Sequence, residues 1–166
     1  MTDTENSPAV RALSSHDAFE RAGDEFRLLT VVFDTAVAVE HHASDKQYTV
    51  RVKAPTIQGA TEDHVGDTVE TDWLETFERR LADAPSATRT AVEIDDMTVE
   101  DRGKTVSVRY QFSCAEPDLG ATLSKTFAEF VEGTYAEGII PGYDYTPPVS
   151  ELLSDASQGE TGGTPL

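Results

Sequence analysis

The sequence predicts an α+β fold: a two-layer sandwich in which helices pack on one face of an antiparallel sheet of four to five strands. Residues 48–54 and 105–114 alternate between apolar and polar side chains, which is typical of strands with one buried face. Residues 119–135 carry apolar side chains mostly three or four positions apart, which is typical of a helix with one buried face. The predicted elements follow the order α-ββ-α-ββ-α, and hairpins of this kind form antiparallel sheets.

The chain has 166 residues, a length that suggests one domain with a real core. We assign residues 1–13 to a flexible N-terminal tail, residues 14–153 to a single α+β domain and residues 154–166 to a disordered C-terminal tail. The C-terminal tail is rich in Gly, Ser and Thr, and such a composition cannot bury enough apolar surface to order itself.

The first predicted element is a short helix at about residues 15–22. Ser14 and Asp17 have the spacing of a capping box, with Asp in place of the usual Glu. Gly23 is suited to end this helix.

The first hairpin follows this helix. Residues 26–40 are rich in β-branched and aromatic side chains and predict one strand, and residues 41–45 predict a turn. The alternating segment 48–54 returns as the second strand, which Pro55 closes. We interpret residues 56–68 as a loop.

A second helix and a second hairpin repeat this layout. Val69, Trp73, Phe77 and Leu81 recur every four residues and predict a helix with one buried stripe, which Thr71 is placed to cap.

The second hairpin begins with a strand at residues 89–100. Its buried phase changes at Asp95-Asp96, which indicates a bulge or kink. Gly103 stands in the turn, where a positive φ is needed, and residues 105–114 form the returning strand.

The last helix leads into a loop with several fixed turns. The apolar residues of the segment 119–135 form its buried stripe, and Gly138 ends it. Residues 139–145 then read Ile-Ile-Pro-Gly-Tyr-Asp-Tyr, and Pro147-Pro148 can start one more short helical turn.

Acidic residues dominate the composition. The chain has 31 Asp and Glu against 13 Lys and Arg, a net charge of −18 and a pI near 4.3. In ordinary salt such a charge repels itself, whereas at ~1 M salt the Debye length is only about 3 Å and the repulsion is screened. Because the acids are scattered rather than collected in a block, we favour a cytoplasmic protein of a high-salt cytosol over an ordinary acidic protein at low salt.

Composition also argues against several functional classes. No apolar run approaches the ~18 residues of a membrane span, and the N-terminus lacks the basic and apolar regions of a secretory signal. No basic patch is visible in the sequence, so we expect neither nucleic acid nor a membrane as partner. Cys114 is the only cysteine, which excludes an internal disulfide.

The histidines form no recognisable metal motif. His41 and His42 are adjacent and point to opposite faces of an extended strand, so they cannot chelate one ion together. Their spacing to His64 matches no zinc pattern. Glu62-Asp63-His64 has the composition of a base or metal ligand, but such neighbours are expected by chance in an acidic chain. We interpret these residues as solvated, and we expect no catalytic residue, metal site or cofactor.

Two further groups have a chemical and a structural interpretation. Cys114 ends an inward strand row, which favours a buried small hydrophobe over a nucleophile. The carboxylates around Asp95 and Asp96 favour a hydrated acidic face over a cation site, because they lack the spacing of a calcium loop. No phosphate-binding loop, dinucleotide fingerprint or nucleophile elbow is present.

Two resemblances add to this picture. The segments Ser14–Phe19, Phe33–Val37 and Phe130–Tyr145 resemble a small haloarchaeal family of unknown function, over roughly residues 14–145. This resemblance implies a high-salt cytosol and no particular activity. In element order and charge, the chain also resembles the type III secretion chaperones, which are small acidic α+β homodimers; that likeness is an analogy of layout.

The segment 138–145 is the best candidate for a site. Its structural interpretation is a helix C-cap and a turn that covers one end of the sandwich. Its functional interpretation is a protein interface in which the two tyrosines are the anchors and the aspartate is a polar contact. That predicted interface consists of Ile139, Ile140, Tyr143, Asp144 and Tyr145.

The leading hypothesis is a non-enzymatic, cytosolic protein-binding or chaperone-like module that is adapted to high salt and forms a homodimer. The alternative is a small-molecule-binding domain or an enzyme with a pocket between sheet and helices. Such a pocket would involve His64, Cys114 or Tyr143. A deep cavity with convergent polar groups would favour the alternative, and an exposed apolar patch would favour the leading hypothesis.

Overall fold

A computed structural model describes residues 7–42 and 45–162 of the chain. Within these residues it contains four helices and six strands. The helices are α1 (Pro8–Ser15), α2 (Asp67–Leu81), α3 (Pro117–Glu137) and α4 (Val149–Gly162). The strands are β1 (Phe19–Ala22), β2 (Glu25–Leu28), β3 (Asp34–His42), β4 (Asp45–Pro55), β5 (Asp96–Asp101) and β6 (Thr105–Cys114). Short 3₁₀ turns lie at Gln58–Ala60 and Ala84–Ala87.

All six strands form one antiparallel sheet in the order β1-β2-β3-β4-β6-β5. The predicted α+β sandwich is therefore confirmed, with one strand more than the upper number expected. The two predicted hairpins are present as β3–β4 and β5–β6, and they meet where β4 pairs with β6.

The core lies between the β4–β6 pair and α3. On β4 and β6 the predicted inward residues are buried and face each other across the pair, as in Tyr48 opposite Phe112 and Val50 opposite Tyr110. The ring planes of Tyr48 and Phe112 are stacked with centroids 5.2 Å apart, and Phe127 of α3 packs edge-on against Phe112. The alternating pattern of these two strands thus predicted the buried face correctly.

The helix α3 is the central element of the helical layer. Its predicted stripe is buried at Leu123, Phe127, Val131 and Tyr135, and Gly138 ends it as expected. α3 contacts β4 and β6 directly, and α1, α2 and α4 each contact α3. None of the described helices is long and apolar enough to cross a bilayer.

The predicted helix at residues 15–22 is wrong. The helix α1 lies earlier because Ser7 is its N-cap: the Ser7 hydroxyl accepts a hydrogen bond from the Val10 N–H at 3.1 Å, and Pro8 follows at the first position. Residues 16–22 instead lead into β1, and Gly23 has a φ of +66° in the β1–β2 turn.

Both chain ends hold more structure than the tail assignments anticipated. Residues 8–13 of the predicted N-terminal tail belong to α1, which buries Ala9, Val10 and Leu13. Near the C-terminus, α4 continues to Gly162, into the segment 154–166 that was predicted to be disordered. Residues 1–6 and 163–166 lie outside the described part of the chain.

The single strand predicted at residues 26–40 is also wrong, because β2 and β3 are separated by a bend. In this bend Leu29 is 52% exposed, whereas Phe33 is buried. A carboxylate on α3 holds the bend: Glu132 accepts a hydrogen bond from the Phe33 N–H at 2.7 Å. Periodicity alone does not reveal a bend that depends on a residue 99 positions away.

Two other boundaries differ from the prediction. α2 begins at Asp67 with Gly66 as N-cap rather than at Thr71, because Asp67 and Glu70 favour the positive end of the helix dipole. The strand predicted at residues 89–100 begins only at Asp96, which is where the buried phase changed. The predicted 41–45 turn includes residues 43–44, which lie outside the described residues.

The close approach of Gly120 to Tyr48 allows a mutational test of the contact between α3 and the sheet. A Cβ at this position would lie 2.1 Å from Cζ of Tyr48, whose side chain is fully buried and cannot move aside. We expect Gly120→Ala to lower the free energy of unfolding by about 2–3 kcal/mol, because overpacking outweighs the better helix propensity of Ala. Urea denaturation measures this change.

A matched control lies on the same helix. Gly133 is exposed, and a Cβ there would meet nothing within 4 Å. Gly133→Ala should raise the free energy of unfolding by about 0.5–1 kcal/mol. Equal stability of the two variants would contradict the close approach of α3 to Tyr48.

Glu132 predicts a pH dependence of stability. Burial raises the pKa of Glu132 to about 7, although the N–H of Phe33 acts in the opposite direction. A raised carboxyl pKa contributes stability that is complete below about pH 4.5 and is lost as the pH rises through 7. Relative to Glu132→Gln, the wild type should lose up to roughly 3 kcal/mol of unfolding free energy between these pH values.

Urea titrations between pH 4.5 and pH 8 measure this difference. The exposed Glu75 on α2 is the control, because Glu75→Gln should keep the wild-type pH profile. Parallel profiles for Glu132→Gln and the wild type would show that Glu132 is not responsible.

Candidate functional site

An apolar depression lies between α2, the end of α3 and the loop that follows. Its volume is about 340 Å³, and it is lined by Val69, Asp72, Trp73, Thr76, Phe77, Arg80, Thr134, Gly138 and Ile140. We call it the α2–α3 hollow. It opens on the helical side of the molecule, whereas the predicted pocket was expected between the sheet and the helices.

A rigid aromatic cluster forms the floor of the α2–α3 hollow. Trp73 and Phe77 are one turn apart on α2, and their rings are stacked with centroids 5.0 Å apart. Both rings pack edge-on against Tyr135 of α3, at 5.4 and 5.6 Å. The Tyr135 hydroxyl donates to the carbonyl of Pro55 at 2.8 Å, which ties the cluster to the end of β4.

The rim of the hollow is amphipathic. Val69, on the first turns of α2, is 36% exposed although its phase predicted burial. Arg80, on the last turn of α2, forms an ion pair with Glu137 at the end of α3. Asp72 adds an exposed carboxylate. An apolar floor with charges of both signs at its edge is suited to bind an apolar group that carries polar neighbours.

Trp73 has an unsatisfied hydrogen-bond donor. Its side chain is 5% exposed, and its Nε1–H has no acceptor among the described residues. Buried polar atoms without a partner are rare in native proteins and call for an explanation. Trp73 is also the only tryptophan of the chain, so its fluorescence reports on this hollow alone.

The loop after α3 is held firmly against the 3₁₀ turn and the residues that follow it. The Thr61 hydroxyl donates to the Asp144 carbonyl at 2.7 Å, and the Asp144 N–H donates to the Asp63 carboxylate at 2.8 Å. The Thr146 N–H donates to the Ala60 carbonyl at 2.8 Å. The residues of the predicted interface therefore have a fixed backbone.

The five residues of the predicted interface differ in burial and in the groups that they contact. Ile140 lines the α2–α3 hollow, and Ile139 is half-buried against the core. The Tyr145 hydroxyl donates to the Ile140 carbonyl, and burial raises the pKa of Tyr145, so this hydroxyl stays protonated. Tyr143 is half-buried and lies edge-on to Tyr145 at 6.3 Å. The side chain of Asp144 is exposed.

The histidines and the cysteine do not converge on a site. His41 and His64 are exposed, at the end of β3 and in the loop before α2, and the side chain of His42 lies outside the described residues. Cys114 is a half-buried thiol at the end of β6 that donates to the carbonyl of Glu116 at 3.4 Å.

The carboxylates of Asp95 and Asp96 bind side chains of β6. Asp95 accepts from the Ser113 hydroxyl at 2.9 Å, and Asp96 pairs with Arg109 at 3.1 Å. No group of three or more His, Cys, Asp or Glu side chains in the described residues is arranged to hold a metal ion.

Sequence reasoning missed most of the α2–α3 hollow. Trp73 and Phe77 were recognised only as core residues of a helical stripe. The available signal was that stripe itself, because four apolar residues at exact intervals of four drift around a helix of 3.6 residues per turn. Val69 therefore reaches the edge of the buried face and becomes exposed.

Comparison with known proteins gives one match. The sequence model of a family of unknown function, DUF5813, matches residues 14–155. No curated protein and no solved structure has significant similarity to the chain.

Proposed function

The chain belongs to the DUF5813 family, whose function is unknown, and we propose that it is a non-enzymatic protein-binding module of a high-salt cytosol. In this proposal the α2–α3 hollow receives an apolar side chain of a partner protein. Trp73 and Phe77 form the surface on which that side chain packs, and Val69 and Ile140 flank it.

The observation that carries the proposal is an apolar depression with a rigid aromatic floor. Binding energy at protein interfaces concentrates at a few aromatic or aliphatic anchors that fill such depressions. The ring contacts among Trp73, Phe77 and Tyr135 already order the floor of the hollow. Binding of a partner therefore costs little side-chain conformational entropy there.

The lining of the hollow supports binding rather than catalysis. Among the described residues that line it, the ionisable side chains are Asp72 and Arg80, which have opposite charge. Nucleophilic catalysis needs a nucleophile within hydrogen-bond reach of a base. The hydroxyls of the lining belong to Thr76 and Thr134, and neither is hydrogen-bonded to Asp72 among the described residues.

A small apolar molecule is the second candidate occupant. The volume of about 340 Å³ falls within the ~300–1,000 Å³ of ligand pockets. The hollow is also open to one side, which favours a side chain that enters from a partner surface. A second copy of the chain is the simplest protein partner, as in the predicted homodimer.

A substitution of Val69, at the rim of the α2–α3 hollow, tests the proposed binding surface. Val69→Asp places a charge at the rim of the hollow. It should weaken the affinity for a protein partner at least about tenfold, because an unpaired carboxylate would have to be desolvated. Leu29→Asp is the control: among the described residues Leu29 is the other exposed large hydrophobic residue, at 52%, and it lies in the β2–β3 bend away from the hollow.

The measurement has two steps. Proteins captured from a lysate in high salt by the wild type and by Leu29→Asp, but not by Val69→Asp, are candidate partners. A purified candidate partner, or a second copy of the chain, is then titrated into the protein. The change in Trp73 emission must level off as the binding site is filled. Capture that Val69→Asp leaves intact would refute the proposal, and a bound small molecule in native mass spectra would favour the second candidate.

The charge of the chain predicts that folding depends on salt. With a net charge of −18, lowering the salt from about 2 M to about 0.05 M KCl lengthens the Debye length several-fold and restores self-repulsion. Far-UV circular dichroism and Trp73 emission should show loss of structure in low salt and recovery in high salt. Full folding at both salt concentrations would count against adaptation to high salt.

A further inference from the structure

The open face of the sheet brings together basic residues that are far apart in the sequence. Arg27, Arg51 and Arg109 lie in one row across β2, β4 and β6, because Arg27 and Arg51 both pair with Ala36 and Arg51 pairs with Arg109. Lys53 is two residues further along β4 and therefore faces the same way. This face is opposite to the one that α3 covers.

Part of this face forms a second depression, of about 320 Å³, which we call the cationic groove. It is lined by Arg51, Lys53, Thr98, Glu100, Arg102, Thr105, Val106, Ser107 and Arg109. Four of these side chains are cationic and one is acidic. In a chain with 31 acids and 13 bases, a lining with this ratio is the reverse of the surrounding composition.

The arrangement of the two central arginines is unfavourable by itself. Arg51 and Arg109 stand directly opposite each other on neighbouring strands, and like charges in that position destabilise a sheet. Arg51 pairs with Glu25 at 2.8 Å and Arg109 pairs with Asp96 at 3.1 Å. Each ion pair engages one terminal nitrogen of a guanidinium that has five N–H donors.

Donors in the groove remain available for a ligand. The Lys53 ammonium has no hydrogen bond or ion pair among the described residues. The Nε–H of Arg109 is shielded from solvent and is therefore not one of these donors. The side chains of Arg51 and Arg109 are 48% and 41% exposed, so both guanidinium groups can be reached from solvent.

We propose that the cationic groove binds a small oxyanion with two or more negative charges, such as a phosphate or polycarboxylate group. Guanidinium groups form paired hydrogen bonds with the oxygens of phosphate and carboxylate. Neighbouring strands are ~4.8 Å apart, so Arg51 and Arg109 can approach one anion together. The hydroxyls of Thr105 and Ser107 supply neutral donors around it, whereas the Thr98 hydroxyl donates to Asp96.

The borders of the groove favour a small anion over a nucleic acid. Glu25, Asp34, Asp96 and Glu100 lie on the same face next to the cations. A nucleic acid needs a continuous track of cations for successive phosphates, and these carboxylates would repel the phosphates on either side. A single compact anion can lie between Arg51 and Arg109, with Glu100 as the one acidic side chain of the lining.

The test is a calorimetric titration of the full chain with sodium pyrophosphate and, separately, with citrate, at a fixed ionic strength of about 1 M KCl. We expect saturable binding of one anion per chain. Arg51→Gln and Arg109→Gln should each weaken binding by about tenfold or more, because each removes charge-assisted hydrogen bonds. If only one of the two anions binds, the result shows whether the groove prefers phosphate or carboxylate groups.

Arg79→Gln is the matched control, because Arg79 is an exposed arginine on α2 and its loss changes the net charge equally. It should bind as the wild type does. Lys53→Gln is a second variant in the groove for the case that an arginine variant fails to fold, and it should also weaken binding.

Three outcomes would overturn the proposal: no saturable binding of either anion, equal weakening by Arg79→Gln, or tight binding of a single-stranded oligonucleotide without binding of pyrophosphate. The test is independent of the proposed protein partner, because Val69→Asp should bind the anion normally.

Discussion

The contact between α3 and the β4–β6 pair is the constraint on which the rest of the fold depends. A glycine at position 120 lets the helix approach the ring of Tyr48 so closely that a methyl group would overlap it. That approach brings Phe127 onto Phe112 and aligns Tyr135, further along the helix, with the aromatic residues of α2. It also brings Glu132 to the bend between β2 and β3. The core, the bend and the α2–α3 hollow are thus all set by the position of one helix.

Patterns that repeat within one element predicted the fold well. The alternation in residues 105–114 identified β6 with its exact bounds and its buried face, because every second side chain of a strand shares one environment. Features that depend on distant partners were missed. The break after Leu28 depends on Glu132, 99 positions beyond Phe33. The early start of α1 was missed for another reason: its cap at Ser7 is local but precedes only three buried apolar residues.

The candidate sites were less predictable than the fold. Ile140 was anticipated as a binding residue, yet it lines a hollow whose other walls come from α2 and the end of α3, which sequence reasoning treated as core. The cationic groove was missed for a similar reason. Arg51, Lys53 and Arg109 are single basic residues in polar positions of two strands, and only the β4–β6 pairing brings them together. A patch assembled from separate strands leaves no run of like charge in the sequence.

The order of the strands in the sheet has a consequence for synthesis of the chain. The β3–β4 hairpin joins neighbouring segments and can form early, but β4 completes its pairing only with β6, and α3 covers both. The inner row of Tyr48, Val50 and Val52 therefore lacks the cover of α3 until that helix, which ends at Glu137, has left the ribosome. Contacts between such distant segments form slowly, because a long loop must close first. On a ribosome, burial of the β3–β4 hairpin therefore waits for a helix that is made long after the hairpin itself.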